Sequence, residues 1–330
     1  MTAVSEPILR APRPDEIGAL HELLIAVQRG DGLPIVAHLD EIADWFESPG
    51  IDPLDDLRVI ELDDQLVAYG TVDHSPSGKR LERVMVFGGV HPAWRGRGLG
   101  HMMIEWQRAR ASQRLVATDP SLPGYAVTYV YDFEVDALRL LEDAGFQRER
   151  VEHELICPLG QVLLTPVIEG IEIRPWASTD SEPVRLVSNA AFADHWGSPP
   201  RSAAAWAHGL ESNGCRTDLS FVAVDSTTSE VVGFSLNGHY PDDQDVTGRL
   251  DGWIQNLGTA RSHRKRGIAS ALVGHSLQAF AGAGFDHAML SVDTENPSGA
   301  YGIYTGLGFE RLHATVTMRH SVRREFDPPS

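Results

Sequence analysis

Three cations and a glycine stand together at Arg264-Lys265-Arg266-Gly267, and apolar residues at helical spacing follow them: Ile268, Leu272, Val273, Leu277 and Phe280. A helix that begins at this glycine offers the unpaired N–H groups of its first turn, with the positive end of its dipole behind them. Gly267 lets an anion approach the backbone closely, and the cations add charge. The pattern describes a phosphate cradle; the plain alternative is an ordinary strand–helix connection. Further on, Asn296-Pro297 supplies an N-cap side chain and an N1 proline. Ala300, Ile303, Tyr304 and Leu307 continue that helix, and Gly308 stops it. The phenol of Tyr304 is protonated at neutral pH and can donate a proton; its other reading is a packed helix tyrosine.

The elements that must position these groups follow from periodicity. A strand over 250–259 leads into the cation loop, a second covers 287–293, and a last one covers 310–320. Alternation along the first puts Asp251, Trp253, Gln255 and Leu257 on one face. Asp251 can then reach an acceptor as a base, directly or through water, with Trp253 walling the pocket, or it is a solvated strand-end residue. Glu295 is a second candidate base, or a helix-start residue. Helices are expected at 183–193 and 201–210, and paired strands at 219–225 and 230–239. The same order runs through the first half: a strand at 8–10, a helix with the stripe Ile17, Leu20, Leu23, Leu24 and Val27, then a short helix at 38–46. Strands at 57–62, 65–73 and 80–90 follow, then a glycine-rich loop, a helix, a strand at 126–133, a helix at 135–144 and a closing strand at 148–159.

With these segments in order, the C-terminal stretch resembles the GNAT N-acetyltransferase superfamily. Arg264 to Ala269 match its R/Q-x-x-G-x-G/A loop, and Asn296, Ala300, Tyr304 and Gly308-Phe309 match its N-x3-A-x3-Y-x3-G-F segment. Arg95/Arg264, Gly98/Gly267, Gly100/Ala269 and Gly145-Phe146/Gly308-Phe309 stand in register, so each half resembles a whole domain. The tandem layout is similar to that of mycothiol synthase and several actinobacterial acetyltransferases. The resemblance implies an α+β (α/β/α) chain of two tandem GNAT domains, 1–160 and 161–330. Each is expected to hold a mixed, mostly antiparallel sheet flanked by helices.

The same resemblance implies acetyl-CoA as cofactor. Leu257, Gly258 and Thr259 would lie along its pantetheine arm, and Arg264, Lys265, Arg266, Gly267, Ile268, Ala269 and Ser270 would hold its pyrophosphate, with Asn296 also at the cofactor. Tyr304 takes the position that commonly protonates the leaving thiolate. Many relatives carry a glutamate where this chain has Trp253. The loop of the first half is complete, so cofactor contacts are expected at Val90, Arg95, Gly96, Arg97, Gly98, Leu99 and Gly100. Leu141 and Phe133 replace the tyrosine and the asparagine there, so chemistry is assigned to the second half. Acceptor recognition in the superfamily comes largely from the first two helices and their loop. That places Asp194, His195 and Trp196 at the substrate, although a turn before Pro199-Pro200 would also use such residues.

Composition narrows the function classes. Across 330 residues the net charge is −18, which disfavours nucleic acid as a partner and mildly favours a cationic acceptor such as an amine. Hydrophobic content of 42% and charged content of 22% are ordinary for a globular chain. No apolar run suggests a membrane span, and residues 1–14 do not read as a secretory signal. With only Cys157 and Cys215, no disulfide framework is expected, and a reducing cytoplasm fits. The 14 histidines show no HExxH spacing, so no metal is expected. The expected function is acetyl transfer from acetyl-CoA to the primary amine of a small molecule by a monomer or weak homodimer. A mycothiol synthase-like enzyme and a non-catalytic acyl-CoA sensor are the alternatives.

Overall fold

The computed structural model describes residues 6–47, 50–74, 81–116, 118–160, 165–192, 200–211, 214–295 and 300–322. The first half runs β1 (Ile8–Arg10), α1 (Ile17–Asp31), α2 (Leu39–Glu47), β2 (Leu57–Leu62), β3 (Gln65–Asp73) and β4 (Glu82–Val90). It continues with α3 (Leu99–Val116), β5 (Gly124–Tyr131), α4 (Val135–Asp143) and β6 (Gln147–Pro158). The second half repeats the order with β7 (Ile171–Pro175), α5 (Ser181–Ala191), α6 (Ala203–Glu211), β8 (Phe221–Asp225) and β9 (Val231–His239). After a short α7 (Gln244–Thr247) come β10 (Asp251–Thr259), α8 (Ile268–Gly282), β11 (His287–Asp293), α9 (Ala300–Gly306) and β12 (Glu310–Ser321).

Both repeats enter their first helix in the same way. Glu16 accepts from the Arg10 guanidinium and from the N–H of Arg13 at 2.7 Å; Asp180 accepts from Arg174 and from the N–H of Ala177 at 2.8 Å. The carboxylate closes the start of the helix and its arginine ties it back to the first strand. These arginine hydrogen bonds hold both carboxyls below the usual carboxylate range.

Two compact units result, Met1–Val151 with Thr315–Ser330, and Glu152–Ala314. In the first, β1 to β4 form an antiparallel meander, β5 runs parallel to β4, and Thr315–Ser321 of β12 pair antiparallel with β5. In the second, β7 to β10 form the meander, β11 runs parallel to β10, and residues 152–158 of β6 pair antiparallel with β11. The sheets are mixed and mostly antiparallel, as expected.

The expected division at residue 160 differs from this arrangement, because the repeats exchange their closing strands. Leu155 and Cys157 of β6 are buried with Val273, Leu277, Phe280 and Leu290 of the second unit. Val316 and Met318 of β12 are buried with Leu138, Leu141 and Phe146 of the first. Alternation in a strand reports which face is buried, and says nothing about which sheet edge accepts it.

Helices cover both faces of each sheet. In the second unit α5 and α6 bury Val184 and Trp206 against Val222, Phe234 and Leu236, while α8 and α9 cover the other face. Gly252 of β10 lies directly under Phe280, where a Cβ would come within 2.6 Å of the ring. Among the described residues no helix is long and apolar enough to cross a membrane.

Candidate active site

β10 and β11 pair only over Asp251–Trp253 and His287–Met289, and no cross-strand pair continues beyond them. On its other side β10 carries a bulge: Ile254 pairs with Asn237 and Asn256 with Leu236. One extra residue reverses the alternation. Ile254 faces α8 before the bulge, and Leu257 faces it afterwards, opposite Ser235, whose hydroxyl lies 2.9 Å from that of Ser276 on α8. Asp251, Trp253, Gln255 and Leu257 therefore do not share one face, which corrects the expectation from simple alternation.

A cavity of about 740 Å³ opens where the two strands diverge. Its wall includes residues 254–259 of β10, 290–293 of β11, Ile303 and Tyr304 of α9, and the first turn of α8. Ser188, Asn189 and Phe192 of the α5 segment and Glu152 of β6 complete it. Asp251 is not in this wall. It sits at the far end of β10, held by Arg249 at 2.8 Å and by His287 at 3.4 Å. Trp253 is not in the wall either; it packs edge-to-face on Tyr240 at 6.3 Å, while neighbouring Gln255, which does line the cavity, donates to the Tyr240 hydroxyl.

The loop before α8 has two left-handed residues, Lys265 at φ 62° and Gly267 at φ 84°. Gly267 is the N-cap and provides no side-chain bond, so no side chain caps the first-turn N–H groups of Ile268, Ala269 and Ser270. A Cβ at Gly267 would also come within 3.2 Å of Ile168. Arg264 donates to the carbonyls of Thr259 (3.3 Å) and Ala191 (3.0 Å), and Arg266 to that of Glu169 (3.0 Å). These are neutral anchors. Among the described residues no carboxylate pairs with Arg264, Lys265 or Arg266, so their charge remains available to an anion. The Thr259 hydroxyl is buried with no partner among the described residues. A helix start, three uncompensated cations and a slot between diverging strands fit the pyrophosphate and extended arm of acetyl-CoA. Ile268 is itself buried in the core and can offer only its backbone.

Tyr304 is 8% exposed, lies edge-to-face on Phe309 at 6.0 Å and lines the cavity. Burial pushes its phenol up to about 12, so it carries its proton throughout the neutral range. Two carboxylates in the same wall were not singled out from the sequence. Asp293 closes β11, and Glu152 stands directly opposite it on β6. Glu152 belongs to the closing strand of the first repeat, so only the strand exchange places it here. The Asp293 carboxylate also accepts from the N–H of Glu295 at 2.8 Å; Glu295 itself is not in the wall. Asp194, His195, Trp196 and Asn296 lie outside the described residues.

The first repeat keeps the loop's backbone but not its charge. Gly96 (φ 74°) and Gly98 (φ 79°) repeat the conformations of Lys265 and Gly267. Arg95 bonds the Val90 carbonyl at 3.0 Å, as Arg264 bonds that of Thr259. Its two terminal nitrogens, however, grip the Asp31 carboxylate at 2.6 and 2.8 Å. Half-buried Glu134 adds a further carboxyl near Asp31 and Arg95, and burial raises its pKa. Arg97 covers the Trp94 ring at 4.5 Å. Leu99 is buried, a Cβ at Gly100 would come within 2.7 Å of Leu140, and Leu141, in place of the tyrosine, is buried in the core.

Comparison with known proteins agrees with this geometry. Residues 186–309 match the acetyltransferase (GNAT) family. Mycothiol acetyltransferase of Thermobispora bispora is 27% identical over 263 residues, covering 78% of this chain and 80% of that protein. The protein of the same name from Salinispora tropica is 25% identical, covering 82% of this chain and 88% of its own. Among solved structures, a GCN5-related N-acetyltransferase from Sphaerobacter thermophilus has 28% identity and a TM-score of 0.75, covering 98% of both chains. A tandem GNAT protein from the clavulanic acid biosynthesis pathway shares the fold at 15% identity, with a TM-score of 0.66 over 97% of this chain and 100% of its own. Residues 186–309 thus form a GNAT acetyltransferase domain, and the chain as a whole shares the fold of solved GNAT proteins, a tandem one among them.

Proposed function

We propose that this protein transfers an acetyl group from acetyl-CoA to the primary amine of a small molecule, with the chemistry in the second unit. The observation that carries this is a single cavity shared by Tyr304, the uncapped start of α8 and the opening between β10 and β11. Acetyl-CoA supplies the acyl group as a thioester. Arg264, Lys265, Arg266 and the N–H groups of residues 268–270 would hold its pyrophosphate. Leu257, Gly258 and Thr259 would line its arm, on a strand edge that β11 leaves unpaired. Tyr304 holds a proton for the departing thiolate, and its burial keeps that proton in place. The cations at the start of α8 suit a cofactor that is anionic.

A mycothiol-type acceptor is the second reading, favoured by the name that the curated relatives share. A sensor that only binds acyl-CoA is disfavoured, because it has no use for a proton donor at Tyr304. The test is calorimetry with acetyl-CoA on wild type and on the Arg264→Ala/Arg266→Ala variant. Loss of the two charged contacts should weaken binding by about 1–3 kcal/mol. Unchanged affinity in the double variant would refute the cradle.

A further inference from the structure

We propose that Asn256 and Ser291 hold the acceptor's nucleophilic nitrogen at the apex of the opening between β10 and β11, with the Asn256 carboxamide oxygen accepting an N–H of the amine. This rests on the acetyltransferase reading above and names the acceptor-binding residues of that site.

Both residues line the cavity that holds Tyr304. The last cross-strand pair of β10 and β11 is Trp253 with Met289. The next residue but one on β11 is Ser291, and the next but one on β10 falls in the bulge, Gln255–Asn256. Asn256 and Ser291 are thus level with each other where the strands begin to part. They are also on the same face of the sheet. Asn256 pairs with Leu236, which is buried with Phe234 against α5 and α6, and cross-strand partners share a face. Leu290 and Val292 pack with Tyr304 on the α8 and α9 side, so Ser291 between them faces the other way. On the reading above, the arm of acetyl-CoA lies along residues 257–259 and leads to the cradle. Its acyl end then falls at this apex, with Tyr304 on one face and Asn256 and Ser291 on the other.

The hydrogen-bonding groups of the pair are open. Gln255 donates to the Tyr240 hydroxyl at 2.8 Å, and the Arg201 backbone occupies both ends of the Asn189 amide at 2.9 and 3.0 Å. By contrast, neither the Asn256 amide nor the Ser291 hydroxyl bonds to another described residue. Ser291 is exposed and Asn256 half-buried, so an acceptor can reach them. A carboxamide oxygen and a hydroxyl satisfy the N–H groups of an amine while staying neutral. They bias it toward the ammonium form far less than a carboxylate would. Glu154, the cross-strand partner of Ser291 on β6, is bound to His313 at 2.6 Å. The other charged groups of the wall are His263, Arg264 and Lys265 of the cradle, Arg201 over the Trp206 ring at 5.9 Å, and Glu152 and Asp293.

The experiment follows thiol release by wild type, Asn256→Ala, Ser291→Ala and Asn256→Asp with ethanolamine, tyramine, glucosamine and glycinamide as a function of pH. Calorimetry gives Kd for acetyl-CoA, and the thermal midpoint of the free protein is measured alongside. Wild type should acetylate at least one of the four amines. Loss of one neutral hydrogen bond should raise acceptor KM about 2–10-fold in each Ala variant. Acetyl-CoA Kd and the thermal midpoint should stay constant, because neither side chain has a partner among the described residues to lose. Asn256→Asp should lower acceptor KM and move the rise of kcat to higher pH. The new carboxylate favours the bound ammonium, so a higher pH is needed to free its lone pair. A packing defect does not move that profile. Unchanged acceptor kinetics in both Ala variants would overturn the proposal. So would equal losses in acetyl-CoA Kd and acceptor KM, an Asn256→Asp profile that coincides with wild type, or no amine acetylated by a wild type that binds acetyl-CoA. Should Asn256→Ala fail to fold, Asn256→Asp keeps the side chain's size and carries the test. Failure of wild type to bind acetyl-CoA would instead refute the function proposed above.

Discussion

Tyr304 is packed as a core residue and lines the cavity, and its hydroxyl separates packing from the proposed acid role. Tyr304→Phe keeps the edge-to-face contact with Phe309 and removes only the proton. With an acetylated amine in hand, kcat should fall about 10²–10⁴-fold while acetyl-CoA Kd stays nearly constant. A packing role predicts near-normal kcat in the Phe variant. Burial raises this phenol to about 12, so the acid form persists as pH rises past the ordinary tyrosine range. Wild-type turnover should accordingly show no basic limb from this group between about pH 8 and 10. Tyr304 and the cradle cations were legible in the sequence because helix periodicity and a glycine at a helix start are local signals. Asp251 was misplaced because one bulged residue reverses a strand's alternation, and nothing local in residues 251–257 marks the bulge. Glu152 was illegible for a different reason: its neighbours come from a strand 135 or more residues further along the chain.

At the scale of elements, the two glycine loops are nearly the same backbone with opposite electrostatic outcomes. In both, an arginine Nε reaches back to the preceding strand. In the second repeat its terminal nitrogen then meets the carbonyl of Ala191, whereas in the first both terminal nitrogens meet the carboxylate of Asp31. A guanidinium already paired with a carboxylate has little charge left for a pyrophosphate, and Glu134 adds to the disfavour. The loop pattern was visible in the sequence; the pairing was not, since Asp31 is 64 residues from Arg95. We expect one acetyl-CoA per chain by calorimetry. Asp31→Asn should expose a second, weaker site, with Arg95→Ala added to the same chain abolishing it. Two equivalent sites in wild type would contradict this account.

For the whole molecule, duplication and strand order were readable, because each repeat carries its own periodicity and turns. The exchange of closing strands was not, because β6 and β12 have similar lengths and burial patterns and either could complete either sheet. The consequence is testable through the connection at residues 161–164. A fragment 1–160 contains residues 152–158 of the second unit and lacks residues 315–321 of its own. It loses the buried side chains of Val316 and Met318, roughly 1.5–3 kcal/mol each, together with a full row of strand hydrogen bonds. That is a large share of the roughly 5–15 kcal/mol by which a domain is stable. Expressed alone, fragment 1–160 should show no cooperative unfolding transition. A chain cut by a protease at an engineered site in 161–164, after folding, should instead keep its two pieces together in gel filtration and retain acetyl-CoA binding. Independent, cooperative unfolding of the isolated 1–160 fragment would show that each repeat completes its own sheet.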